Sequence, residues 1–326
     1  MTVNDSEAWL EALDRDGYCV VPNVIPIQAC KEYQDSAMTW LEGFGKGFKR
    51  DDPSTWSAEH LPRHFAGGMY SCHGVMHSAW VWKIRTQPGI QEVFKKVWGE
   101  SDLVASFDAC NISLPLGPQA RKDIEPTKPW PHIDQSPELV HKRQEVQGIA
   151  NLYPSGPNDG GLVVVKGSSK LHRQYFDEHG RFPFDANVDP KNVKERGMHF
   201  DYKELDWYLA HGAEIIKVCA NEGDFILWDS RTIHWNRSPQ GDQTRFATYV
   251  AYAPRKWMTE AELETKLEVF RKRIGTGHVA TRNPDEKHNK DRDRWDLEDG
   301  AKSVPARPRE EPEESPEIMW AVGVRP

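Results

Sequence analysis

Two stretches of the 326-residue chain place a histidine two residues ahead of an aspartate, His132-Ile-Asp134 and His199-Phe-Asp201. On an extended backbone the outer residues of such a triplet project to one side, so an imidazole and a carboxylate can take adjacent corners of a metal octahedron. One more histidine completes a facial set of three ligands and leaves three corners open for a cosubstrate and oxygen, as in non-haem iron oxygenases. His234 is the candidate, because it follows the strand-like run Asp224-Phe-Ile-Leu-Trp228 and precedes the polar Asn236 and Ser238. Spacing selects the first triplet. His132 lies far enough ahead of His234 for several strands to intervene, whereas His199 is separated from it by a stretch already occupied by a helix and two strands. Asp201 moreover abuts a helix start, where a carboxylate caps naturally. Arg245 opens the strand-like Arg245-Phe-Ala-Thr-Tyr-Val-Ala251, and its guanidinium there suits the two-point binding of a distal carboxylate, which a dicarboxylate cosubstrate would bring.

Elements must hold these residues. Trp9, Leu10 and Leu13 share a helical face after the capping candidates Asp5 and Ser6, and Gly17 is placed to end that helix before a strand at 18–21. Pro26 suits the first position of a second helix, with Ile27, Cys30, Tyr33, Ala37, Trp40 and Leu41 at helical spacing up to Gly43. Residues 44–80 mix Gly, His and aromatics without a period and read as a long loop or lid. A helix near 89–98 follows. From about 102 to 254 the texture changes to short apolar runs (103–107, 146–153, 161–165, 215–218, 224–228 and 245–253) separated by turn residues, the pattern of a β-sandwich or barrel. A short helix at 201–210 interrupts them, and Thr259-Glu-Ala-Glu262 is a capping box opening a helix over 259–274. One domain over 1–277 is therefore expected: a helical part and lid at about 1–100, a β core at about 102–254 and the helix 259–274. Residues 278–326 read as a charged, Pro-rich tail, pinned by Trp295 and Trp320.

Composition narrows the function. There are 42 Lys+Arg against 50 Asp+Glu, a net charge of −8, and no long basic stripe, which argues against a nucleic-acid partner and for a small molecule. Five scattered cysteines without a C-x-x-C pair, a polar acidic N-terminus and no long apolar run fit a cytoplasmic protein that does not cross a membrane. Nothing in the sequence fixes an oligomeric state.

The chain resembles the phytanoyl-CoA dioxygenase family of iron(II)/2-oxoglutarate oxygenases over roughly residues 15–275. The resemblance is carried by Asp16-Gly-Tyr-Cys-Val-Val-Pro-Asn-Val24, His132-Ile-Asp134, Asp159-Gly-Gly-Leu-Val-Val-Val-Lys-Gly-Ser168, Gly223-Asp-Phe-Ile-Leu-Trp228, His234 and Arg245, in that order. It implies a mainly β fold with flanking helices and a double-stranded β-helix (jelly-roll, cupin-like) core. It further implies iron on His132, Asp134 and His234, with 2-oxoglutarate held by Arg245 and O2 as the second cosubstrate. Family-like position makes Asn236, Asn111 and Gln147 candidates for the cosubstrate and Asn151 one for substrate, each of which could equally satisfy buried backbone. Where the family often has Gly-Ser-His, this chain reads Gly167-Ser168-Ser169 with His172 later, which leaves a local hydrogen bond open.

Arg85, in Trp80-Val-Trp-Lys-Ile-Arg85, is a candidate anchor for an anionic substrate, with a structural ion pair as the alternative. His73 and His77 lie four apart near His60 and His64, but the glycines among them disfavour a helix and a second metal; lid residues are expected instead. The expected activity is oxidation, by hydroxylation above all, of a small organic metabolite, with 2-oxoglutarate going to succinate and CO2; Asp134 fills the corner that a halide would need. The alternative is a non-catalytic metal-binding β-barrel, a sensor or ligand-binding module. A zinc hydrolase on the same ligands would be independent of oxygen.

Overall fold

Strand alternation sorts the side chains into inner and outer faces, and the computed structural model describes the chain over residues 3–116, 120–284 and 307–325. The N-terminal part holds α1 (Val3–Asp16), β1 (Tyr18–Val21), α2 (Ile27–Glu42), β2 (Met69–Tyr70), α3 (Ala79–Arg85) and α4 (Pro88–Trp98). Next come β3 (Leu103–Ala105), β4 (Cys110–Ser113), β5 (His132–Ile133), β6 (Val146–Asn151), β7 (Gly161–Lys166) and α5 (Ser168–Glu178). They lead to β8 (Met198–His199), α6 (Tyr202–Ala210), β9 (Glu214–Lys217), β10 (Phe225–Asp229), β11 (His234–Arg237), β12 (Arg245–Val250) and β13 (Tyr252–Pro254). Last are α7 (Glu260–Arg271) and α8 (Pro316–Val322).

A six-stranded sheet runs β1-β10-β6-β12-β4-β2, a five-stranded sheet β8-β5-β11-β7-β9, and β13 pairs with β3 in a ribbon; the pairings are antiparallel. Residues directly opposite one another share a face. Ala247 lies opposite both Asn111 and Asn151, Ile149 opposite both Ile226 and Tyr249, and His234 opposite both His132 and Val164. One apolar cluster joins Ile149, Ile226, Trp228 and Ala247 of the large sheet to Leu162, Val164 and Val218 of the other, so the two sheets pack through these faces.

Helices cover the outer faces. Val21, Phe225, Leu227 and Ile112 of the large sheet pack with Leu13 of α1, Tyr33 and Trp40 of α2, Trp82 of α3 and Phe94 of α4. The Phe94 and Phe225 rings meet edge to face at 5.8 Å, and truncating Phe94 to alanine would cost about 3–5 kcal/mol. On the other side Ile133, Val163, Val165 and Trp235 pack with Phe176 of α5 and Tyr208 of α6. Gly17 ends α1 at φ +82°, and a Cβ there would come within 2.2 Å of Thr232 Oγ1, which donates to Gly17 O at 2.9 Å. This close approach docks the N-terminal helix on the turn that leads into His234.

The expected helices at 27–42, near 89–98 and at 201–210 are present, and the run 245–253 is split at Ala251 into β12 and β13. Two helices carry no legible period: α3, whose residues are buried all round except Lys83, and α5. Described parts of the stretch expected as a charged, Pro-rich tail lie against the body. Ala280 O accepts from Lys266 Nζ at 2.7 Å, and α8 buries Ile318, Ala321 and Val322, while just ahead of the stretch Thr276 N donates to Phe107 O. Trp320 lies in α8; Trp295 lies outside the described residues. The five cysteines are free thiols, and no helix among the described residues is long and apolar enough to cross a membrane.

Candidate active site

His132 and His234 open strands β5 and β11 and face each other across the ladder, which brings their ring centroids to 4.2 Å. Each ring is fixed by its own strand. His132 Nδ1 donates to Trp130 O at 3.1 Å and His234 Nδ1 to Thr232 O at 2.9 Å. Because a carbonyl only accepts, the proton sits on Nδ1 and both Nε2 lone pairs are free for a metal. Asp134 follows β5, anchored by its N–H to Ser230 O at 3.0 Å. Its Oδ2 lies 3.3 Å from His234 Nε2 and its Oδ1 3.6 Å from His132 Nε2. Oδ2 accepts from Gln147 Nε2 at 2.7 Å, and that amide also reaches Ser230 Oγ at 3.1 Å.

The three ligand atoms lie within 4.8 Å of one another. Adjacent ligands about 2.1 Å from a single ion stand roughly 3 Å apart, so small side-chain shifts close the set around one metal. Burial, reinforced by His234, lowers His132 to about 4, which keeps its imidazole neutral. Burial works against the charge on Asp134, but His278, His234 and His132 hold its carboxyl well below the usual range. A neutral nitrogen of His132, the Asp134 carboxylate and the facing imidazole of His234 make a donor set that fits iron(II). Trp130 stacks on His132 at 4.3 Å, and Trp228 packs on His234 at 5.5 Å.

The other expected residues divide. Arg245 opens β12 opposite Ser113, is 6 % exposed, and has a buried Nη1 with no protein acceptor. Asn111 shares that face; its Oδ1 accepts from Ser113 Oγ at 2.7 Å, while its Nδ2 is buried and unpartnered. Asn236 lies two residues past His234 on the same side of β11. Gln147 faces inward and holds Asp134. Asn151 is committed elsewhere, since its Nδ2 donates to Tyr153 O and Asn221 O at 2.7 and 2.8 Å.

Arg85 corrects its expectation as a substrate anchor. It is fully buried in the helical core, donating to Met76 O at 3.1 Å and Asp108 O at 3.2 Å and lying 4.4 Å over the Trp82 ring, and burial lowers it to about 10. Three of the four lid histidines are also spent locally: His60 on Ser57, His64 on Pro62 O and Arg121, His77 on Ile274 O. Among the described residues His132, Asp134 and His234 form the one metal-competent group. At the departure from Gly-Ser-His, Ser168 Oγ accepts from Ile233 N at 2.9 Å and His172 Nε2 meets Arg231 O at 2.5 Å, so both still brace the approach to His234.

Two residues at the site escaped the sequence reading. A cavity of about 360 Å³ reaches Asp134 between walls that include Trp98, Leu139 and Trp257, and Glu145 and His278 project into it. Glu145 Oε1 is buried without a hydrogen-bond partner, 3.8 Å from His278 Nε2. Burial pushes Glu145 up to about 7. Burial opposes a charge on His278, yet Asp134, Glu145 and Asp108 together raise it to about 9. Glu145 was discoverable, being two residues before inward-facing Gln147, whereas His278 arrives from a distant segment with no local signal.

Comparison with known proteins agrees with this geometry. The profile of the phytanoyl-CoA dioxygenase (PhyH) family matches residues 13–247. The Ava biosynthesis cluster protein O of Aspergillus versicolor is 38 % identical over 274 residues, covering 84 % of this chain and 86 % of that protein. A putative phytanoyl-CoA dioxygenase of Dictyostelium discoideum is 22 % identical, covering 75 % and 74 %. In fold, the chain is similar to the epimerase SnoN in complex with Fe3+, alpha ketoglutarate and nogalamycin RO (TM-score 0.51, 18 % identity, 78 % of this chain and 85 % of that one). It is likewise similar to EctD from S. alaskensis in its apoform (TM-score 0.51, 15 % identity, 87 % and 85 %). The chain therefore belongs to the phytanoyl-CoA dioxygenase family and is an iron(II)/2-oxoglutarate-dependent oxygenase.

Proposed function

We propose that this oxygenase hydroxylates a small organic metabolite, with iron(II) on His132 Nε2, His234 Nε2 and the Asp134 carboxylate and the distal carboxylate of 2-oxoglutarate on Arg245. In this reading the two facing sheets are the halves of a double-stranded β-helix. The observation that carries it is the pair of histidines whose Nδ1 protons are tied to their own strands, leaving both Nε2 atoms turned to a half-buried, ionised carboxylate. The relative from a biosynthesis cluster supports a biosynthetic small molecule as the target.

Iron(II) with 2-oxoglutarate and oxygen supplies the oxidising chemistry, by which the keto acid loses CO2 to become succinate and one oxygen atom goes to a C–H bond. The protein's residues set the geometry for it. Gln147 and Ser230 keep Asp134 on its corner, so that this position stays closed to other ligands. Arg245 Nη1 and Asn111 Nδ2, buried donors with no protein acceptor, together with Asn236 are available to the cosubstrate. The cavity on the Asp134 side takes the substrate, with Trp98, Leu139 and Trp257 excluding water and Glu145 and His278 providing polar contacts.

The test is anaerobic loading with iron(II), then oxygen, 2-oxoglutarate and a panel of metabolites followed by mass spectrometry. Succinate that accumulates together with a product one oxygen heavier is expected. Absence of succinate with every mixture would instead favour a binding or sensor module.

A further inference from the structure

Arg245 does not stand alone at its end of the sheets. A Cβ built on Gly161 would lie 3.3 Å from Arg245 Nε, 3.6 Å from Lys217 Nζ and 3.7 Å from Ser155 Oγ, so three polar groups surround the space that the missing side chain leaves open. Gly161 holds φ +133°, a conformation that side-chain-bearing residues rarely adopt, and the opening is thus built into the backbone. Lys217 Nζ donates to Ser155 Oγ at 3.1 Å and to Val218 O at 2.7 Å, which leaves one of its three hydrogens uncommitted. Ser155 Oγ passes its own hydrogen to Gly160 O at 3.2 Å.

The charges around this space do not balance. Arg237 lies opposite Gly161 in the ladder, and its Nε is buried without an acceptor. The nearby Asp159 carboxylate is engaged by Gly156 N at 2.7 Å. Burial, then Arg245 and Arg237, push Lys217 down to about 8, against the opposing pull of Cys219 and Asp159. Partly buried cations crowded together without a carboxylate between them are costly unless an anion joins them.

We propose that Lys217 is a second cation for the distal carboxylate of the keto-acid cosubstrate, sharing it with Arg245 across the space above Gly161, while Ser155 orients the ammonium. This inference rests on the reading that assigns that carboxylate to Arg245. A carboxylate offers about four lone-pair sites on two oxygens, so the planar guanidinium can take one edge and the ammonium a remaining lone pair. Lys217 is then a cosubstrate-binding residue that selects dicarboxylate over monocarboxylate keto acids.

The test is calorimetric titration of the iron(II)-loaded protein under anaerobic conditions with 2-oxoglutarate and with 2-oxobutyrate, which shares the chelating end but has no distal carboxylate. For Lys217→Met, 2-oxoglutarate is expected to bind roughly 10-fold to 100-fold more weakly, the range for losing a charge-assisted hydrogen bond. Binding of 2-oxobutyrate should stay the same, and Lys217→Arg should recover most of the loss. Unchanged 2-oxoglutarate affinity in Lys217→Met, or an equal loss for both keto acids, overturns the proposal while leaving Arg245 in its role. If the wild-type protein shows no preference for 2-oxoglutarate and Arg245→Met changes neither titration, the assignment of Arg245 fails and this proposal with it.

Discussion

The two His-x-Asp triplets lie on adjacent strands, with His132 of β5 directly opposite His199 of β8, yet they have different fates. His132 is buried on the inner face and Asp134 turns toward it; His199 is exposed, and Asp201 is the N-cap of α6, accepting from Glu204 N at 2.8 Å in a full capping box. The difference lies in the neighbours. β5 is an interior strand with β11 on its other side, which delivers His234, whereas β8 is the sheet edge. A triplet of this kind becomes a metal site when the strand beside it supplies the missing ligand and a polar residue steadies its carboxylate.

Matched single substitutions in and beside the two triplets test this contrast. The largest effect is expected from Asp134→Ala, which should lower iron affinity by more than the 10-fold to 100-fold typical of losing a supporting residue and bring succinate formation to background. His199→Ala should leave both unchanged; calorimetric iron titration and a succinate assay check the pair. Gln147→Met keeps the ligands but removes the amide that holds Asp134, and a loss of about 10-fold to 100-fold in iron affinity is expected. Asp201→Ala should do the opposite, with iron binding intact and stability lowered by about 0.5–2 kcal/mol in urea denaturation. Any loss of metal in Asp201→Ala would break the comparison.

The smallest effect separates the inner triplet from the segment that covers its cavity. Lys266, fully buried, ties that segment through Ala280 O, and burial pushes it down to about 7. Between that value and the ordinary lysine range the unfolded chain binds more protons than the folded one, so stability rises with pH from about 7 upward. Lys266→Met should lack this part of the slope and keep its iron affinity, as urea midpoints at pH 7 and pH 9 will show.

Much of the inner face was legible from period and order. Strands such as β7 and β10 carry apolar runs because both faces are covered, and the spacing of His132, Asp134 and His234 follows from the strands between them. Arg85 misled because a cation beside two tryptophans reads equally well as a pocket wall or as a core strut, and only the carbonyls of Met76 and Asp108 decide. Helix α5 was silent because much of its buried face is Ser168, Ser169 and His172, of which Ser168 and His172 seat it by hydrogen bonds, while Tyr175 and Phe176 are its buried apolar residues. Lys217 sits in a strand whose pattern gives no hint that its ammonium borders the same space above Gly161 as Arg245.

The stretch 276–284 leaves the helical cover, crosses back over the β core and lends His278 to the cavity wall, while the metal ligands come from strands much earlier in the chain. The proposed substrate cavity thus draws part of its wall from a segment encoded apart from the metal ligands, and Val279 and Thr281 of that segment are places where the cavity can change shape. His278 ties the two together, because its charge helps to hold Asp134 ionised.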